Sequence, residues 1–95
     1  MNLDDLRKEI DKCNKNIIKS LKERFIITRK IGEFKAQNNL EPSDKERENK
    51  MLDNIKNIAK EANLNQDMVE DIFKIIIKEV VKEHIEIKNG NKNYK

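Results

Sequence analysis

The sequence is short of most residues that do covalent or metal chemistry: in 95 residues it has one cysteine, one histidine, one proline, two glycines, one tyrosine, three phenylalanines and no tryptophan. Each shortage excludes something. Cys13 has no second thiol for an intrachain disulfide or a metal knuckle, and His84 has no ligand partner at helical spacing, so no metal site is expected. With so little glycine and proline, a doubly wound sheet is out of reach. No apolar run approaches the ~18 residues that would span a bilayer, and no basic, apolar leader opens the chain. A cytoplasmic protein with no membrane partner is expected. The four aromatic residues with a ring to stack offer no platform for bases, and 21 basic and 18 acidic residues alternate along the chain rather than gathering on one face. Nucleic acid is therefore not an expected partner. The net charge of +3 can still help to gather a small anion.

What remains is a chain 41% charged and 36% hydrophobic, the balance of one all-α domain over residues 1–95 with much wetted surface. From Leu3 the apolar side chains recur at Leu6, Ile10, Cys13, Ile17, Ile18, Leu21, Phe25, Ile27, Ile31 and Phe34, the spacing of a helix with one buried stripe. Nothing interrupts it before Asn38-Asn39, which predicts a first helix over about 3–37, roughly 50 Å long. A compact domain of this length is only about 30 Å across. Such a helix needs apolar cover from another chain, and a second copy of itself is the simplest source, so a homodimer is expected. In "QNNLEPS", Pro42 forces an extended residue before it, and Ser43 with Glu46 reads as a capping box for a second helix over about 44–62. Its apolar face is Met51, Leu52, Ile55, Ile58, Ala59 and Ala62. Asn65 caps a third helix over about 66–88, carrying Val69, Ile72, Phe73, Ile76, Val80 and Ile87. Asn89-Gly90 stops it, and the tail over 89–95 is expected to fray.

Charged groups sit where apolar ones belong. Arg24 falls on the inner stripe of the first helix, with Ser20, Leu21, Ile27 and Thr28 one turn away and no carboxylate beside it. It either snorkels, forms a salt bridge between chains, or meets an anion, because an unpaired buried charge costs several kcal/mol, of order ~3–5. Lys35 lies eleven residues on, within about 20° of the same face, and either joins Arg24 around a small dianion or faces solvent. Arg7 points about 100° away from Arg24 and can serve only a neighbouring subunit's pocket. Asp44, Arg47 and Glu48 share a face of the second helix's opening turn, as a surface charge ladder or as an anion site helped by the helix dipole. Val80 and His84 share a face with Phe73 and Ile76, where a histidine is either a satisfied core residue or a functional one.

The chain uses 17 lysines and only four arginines, and the order of Arg7, Arg24, Lys35, Asp44, Arg47 and Glu48 resembles the all-helical class of chorismate mutases. The likeness rests on "LRKEIDKCNKNIIKSLKER", "KIGEFK" and "DKERE" and runs from about Leu3 to Ile87. It implies an intertwined dimer of three-helix subunits that converts chorismate to prephenate, on the way to phenylalanine and tyrosine, without cofactor or metal. It further implies that Arg24, Arg47 and Arg7 of the partner subunit clamp the two carboxylates. Lys35 would donate to the ether oxygen, and Glu48 with Asp44 would hold the ring hydroxyl. Arginine suits such clamps because its planar fork meets a carboxylate with two parallel bonds. Arg29 is then the one arginine left as ordinary surface.

Two positions depart from the family pattern. Val80 stands where a small hydroxyl residue often helps to bind a carboxylate. His84 stands where Gln, or a protonated Glu, gives a second hydrogen bond to the ether oxygen, and it would serve as either neutral imidazole or imidazolium. Two other readings stay open on the sequence: an isochorismate pyruvate lyase on the same fold, and a non-catalytic helical dimerisation or regulatory module in which Arg24 only forms a salt bridge.

Overall fold

A computed structural model describes residues 1–90, and the last part of the expected tail, 91–95, lies outside the described residues. Asn2 starts the first helix: its side chain accepts from the Asp5 N–H at 2.9 Å, and the Asp5 carboxylate accepts from the Asn2 N–H at 3.3 Å. This reciprocal cap satisfies two of the orphan donors at a helix start. Helix α1 then runs Leu3–Gln37. It ends at Asn38, where Asn39 adopts φ 54° and the Leu40 N–H reaches back to the Lys35 carbonyl at 2.8 Å. The same device closes α2, Lys45–Glu61, with Asn63 at φ 57° and Leu64 N–H on the Ala59 carbonyl at 2.9 Å. Asparagine is the non-glycine residue that best tolerates this left-handed backbone.

The cap of α2 is Asp44, whose carboxylate accepts from the Arg47 N–H at 3.1 Å, and not Ser43 with Glu46. An ionised Asp both fills the orphan donor and opposes the positive end of the helix dipole. Ser43 donates instead to Glu48 at 3.0 Å, and Glu46 pairs with Lys50 at 3.3 Å. Asn65 caps α3, Gln66–Lys88, by accepting from the Met68 N–H at 2.8 Å.

Helix α3 packs on both α1 and α2, whose backbones do not approach each other. The buried apolar residues are few: Leu52, Ile55 and Ala59 from α2, Ile77 and Ile87 from α3. The outline is long and thin, 54 × 29 × 14 Å, with a radius of gyration of 16.4 Å. A compact chain of this length has a radius near ~12 Å. Residues 1–20 are all exposed, including Leu3, Leu6, Ile10 and Ile17. No helix among the described residues is long and apolar enough to cross a membrane.

Arg29 is not ordinary surface. Its Nε and Nη2 donate to the two carboxylate oxygens of Glu83 at 2.9 and 3.3 Å, and its guanidinium lies over the Phe25 ring at 5.8 Å. The bond to Glu83 raises the Arg29 pKa from its ordinary value. It joins α1 to α3 one residue from Thr28 on one side and one residue from His84 on the other.

Candidate active site

Where α1, α2 and α3 converge, they enclose a cavity of about 170 Å³. Seven of the residues singled out in the sequence line it: Arg24 and Lys35 from α1, Asp44, Arg47 and Glu48 from the start of α2, Val80 and His84 from α3. Thr28, Ile31, Pro42, Met51, Ile77 and Val81 complete the wall. Arg7 is not among them. It is exposed on α1, seventeen residues and about 26 Å of helix away from Arg24.

The polar groups of the wall are held unequally. Glu48 is the most constrained, because its Oε2 accepts from the Ser43 hydroxyl at 3.0 Å and from the Asp44 N–H at 3.2 Å. Lys45 lies 3.5 Å from the other oxygen. The carboxylate is therefore fixed at the helix start, with Pro42 setting the chain's entry. Lys35 donates to the Pro42 carbonyl at 3.3 Å, which ties the end of α1 to the loop before α2.

Arg24 is the opposite case. It is half-buried, and its nearest partners are neutral: Met51 Sδ at 3.7 Å from Nη2, and the Phe73 ring at 5.9 Å. Its Nη1 is buried with no hydrogen-bond partner. Burial lowers its pKa from the ordinary value, although a guanidinium remains charged at any working pH. A buried donor without an acceptor costs about 1–3 kcal/mol, more when charged.

His84 is 4% exposed. Its Nε2 lies 2.7 Å from the carbonyl oxygen of Thr28, and its Nδ1 is buried without a partner. Gly32 makes room for the ring: a Cβ on it would fall 2.7 Å from His84 Cδ2. Neither Gly32 nor the Thr28 carbonyl was singled out in the sequence, because a backbone acceptor and a missing side chain leave no chemical signature there. Thr28 could have been found as the residue one turn beyond Arg24.

A larger groove, about 560 Å³, runs between α1 and α3 past Ile17, Leu21, Ile72, Phe73 and Ile76. Apart from Arg24 its wall carries no charge, so it has the character of a packing surface rather than of a polar ligand site. No group of three or more potential ligands able to hold a metal occurs among the described residues.

Three cations and two carboxylates line a small cavity of an all-α protein, a charge balance that suits a small anion. Comparison with known proteins narrows this. The chorismate mutase type II family model matches residues 6–85, and the chain belongs to that family. It is 33% identical to a chorismate mutase of Methanocaldococcus jannaschii over 96 aligned positions, covering 98% of this chain and 96% of that protein. It is 39% identical over 75 residues to the bifunctional chorismate mutase/prephenate dehydratase of Buchnera aphidicola from Acyrthosiphon pisum, covering 79% of this chain and 20% of that protein. It is also 31% identical over 77 residues to the T-protein of Haemophilus influenzae, again covering 20% of that protein. The chain thus matches nearly the whole of one relative and about a fifth of the others.

Proposed function

We propose that this chain is a chorismate mutase acting as a homodimer, with each site completed by Arg7 of the partner subunit. The reaction is an isomerisation of chorismate to prephenate in aromatic amino-acid biosynthesis. One carbon–oxygen bond breaks and one carbon–carbon bond forms within a single molecule, so no nucleophile is required. The protein has to hold a folded, near-attack conformer and place donors where negative charge grows on the ether oxygen.

In this reading Arg24 and Arg47, with the partner's Arg7, clamp the two carboxylates. Lys35 donates to the ether oxygen, and His84 supplies the second donor. Glu48, fixed by Ser43 and by the Asp44 N–H, accepts from the ring hydroxyl. Asp44 contributes mainly by capping α2, since one of its oxygens already accepts from the Arg47 N–H. Val80 offers a carboxylate only van der Waals contact. The observation that carries the reading is Arg24: a half-buried guanidinium with an unpartnered donor, at a cavity that also holds Lys35, Arg47 and Glu48. Within its own chain Arg24 has no carboxylate partner among the described residues, so a structural role for it needs a salt bridge to a second chain.

Two quantities support the second copy. The chain exposes 7798 Å². A folded monomer of 11.3 kDa is expected to expose roughly 5700 Å². The excess is on the scale of an obligate dimer interface. The apolar face left open over Leu3, Leu6, Ile10 and Ile17 continues into the groove between α1 and α3, a shape that suits another amphipathic helix of the same chain. The proposal places the enzyme in the cytoplasm, where an exposed free thiol such as Cys13 stays reduced.

The test is an absorbance assay of chorismate loss with product analysis, run beside isochorismate. Prephenate from chorismate is the expected result. Salicylate plus pyruvate from isochorismate, with chorismate untouched, would make it the lyase instead. Inertness toward both would leave the dimerisation module.

A further inference from the structure

We propose that Ser43, which does not itself line the cavity, is a positioning residue for the site: together with the Asp44 N–H its hydroxyl saturates Oε2 of Glu48, and so makes Oε1 the one atom offered to the hydroxyl of a guest. The inference rests on the mutase reading of the cavity and deepens it.

A serine just before a helix usually spends its oxygen on the first N–H groups of that helix. Here Asp44 has taken that task, accepting from the Arg47 N–H at 3.1 Å. The Ser43 hydroxyl is released for another partner, and it donates to Glu48 Oε2 at 3.0 Å. The same oxygen accepts from the Asp44 N–H at 3.2 Å. An ionised carboxylate only accepts, and each of its oxygens has two lone pairs, so two donors leave Oε2 with nothing to give.

Oε1 is placed differently. Its partner is the Lys45 ammonium at 3.5 Å, long for a hydrogen bond, on a side chain that is 84% exposed against 15% for Glu48. An ion pair of that kind holds weakly. Lys45 lines the neighbouring groove between α2 and α3 and not the cavity, whereas Glu48 lines both. Oε1 therefore keeps a lone pair for a hydroxyl entering from the cavity, as a charge-assisted bond. The terminal torsion of a glutamate is soft, so a carboxylate held by one donor can turn and one held by two donors on the same oxygen is fixed. Ser43 is the second donor.

Ser43 is itself anchored. The residue before it, Pro42, has its φ fixed by the ring, and its carbonyl accepts from Lys35 Nζ at 3.3 Å. Lys35, Pro42, Ser43 and Glu48 thus form a continuous run of contacts from the end of α1 to the start of α2. Ser43 acts from behind that run, through Glu48, without touching the guest.

The test is calorimetry of the full chain with two bicyclic ether dicarboxylates that mimic the rearranging geometry, one carrying the ring hydroxyl and one lacking it, together with kcat and KM for chorismate. Ser43→Ala should weaken the hydroxylated compound by ~10-fold, leave the other within about twofold, and lower kcat/KM by ~10-fold, the scale of a misplaced anchoring group. Ser43→Thr keeps a hydroxyl and should stay within about threefold of wild type in all three. The Asp44 cap remains in both variants, so both are expected to fold. If Ser43→Ala weakens the two compounds equally, or unfolds while Ser43→Thr does not, the hydroxyl serves the structure of the α2 start and the proposal fails. Wild-type binding and turnover in Ser43→Ala overturn it as well and leave the mutase reading standing. Wild type that neither binds the compounds nor consumes chorismate overturns the two readings together.

Discussion

The two halves of α1 carry the same apolar periodicity and differ in what covers it. Through Ser20 every residue is exposed, whereas from Leu21 the half-buried or buried positions recur at three-and-four spacing: Arg24, Phe25, Thr28, Arg29, Gly32, Lys35 and Ala36. The second half meets α3 and the start of α2, and polar residues on its inner face are therefore held: Lys35 by the Pro42 carbonyl, Arg29 by Glu83. The first half leaves Leu3, Leu6, Ile10 and Ile17 exposed among the described residues. Each such side chain is worth about 1.5–3 kcal/mol once buried. One helix thus separates two tasks. Its far end stores the stability of the proposed assembly, and its near end arranges charge around the cavity.

The sharpest way to break that division is to charge the far end. Ile17→Asp places a carboxylate in the groove, at two symmetric positions of the proposed dimer, and it should convert the protein to monomers or unfolded chain with complete loss of chorismate turnover. Size-exclusion chromatography beside the assay checks this; an active variant of unchanged size would mean the far end has no partner. Next in size are Arg24→Ala and Arg7→Ala, each expected to lower kcat/KM by ~100- to 1000-fold, the scale of removing one preorganised donor. The two variants are a pair. If each site takes Arg24 from one subunit and Arg7 from the other, mixing and refolding them in equal amounts yields heterodimers with one intact site, and about a quarter of wild-type activity returns. A mixture that stays inert would place Arg7 outside the site.

Much of this was legible in the sequence, and the reasons differ by element. The length of α1 could be read because nothing interrupts its stripe before Asn38, and the exposed half followed from length alone. Arg24 was visible because charge on an apolar stripe is conspicuous, whereas Lys35, Arg47 and Glu48 each had an ordinary surface alternative and stood out only through the resemblance to the all-helical chorismate mutases. The α2 cap was misassigned because Ser43 and Asp44 are both good caps, and only the fold decides which of them reaches the Arg47 N–H. Ile77 was missed as a core residue because Ile75, Ile76 and Ile77 stand in a row; the structure buries Ile77 and leaves Ile75 71% exposed. Arg29 looked like surface because its partner lies 54 residues away.

That last pair gives the smallest effect, and the one that tests how the near end is aligned. Glu83 has a side chain only 6% exposed and meets the guanidinium with two parallel bonds, while Arg29 itself is 26% exposed. Arg29→Ala leaves a buried carboxylate without its fork, which should destabilise the protein by about 1–3 kcal/mol, less than for a fully buried pair because water reaches the arginine side. For a domain of this size that is a Tm drop of roughly 4–8 °C per kcal/mol, to be read at fixed protein concentration because the proposed dimer would make Tm concentration-dependent. Arg29→Lys should recover little, since an ammonium cannot supply the two-bond fork. Adding Glu83→Gln to Arg29→Ala should recover most of the loss by removing the stranded charge. Because Thr28 and His84 flank the pair, kcat in Arg29→Ala should fall by up to ~10-fold through misalignment of the ring while KM stays within about twofold. A loss of stability with unchanged kcat would show that the near end of α1 keeps its register by packing alone.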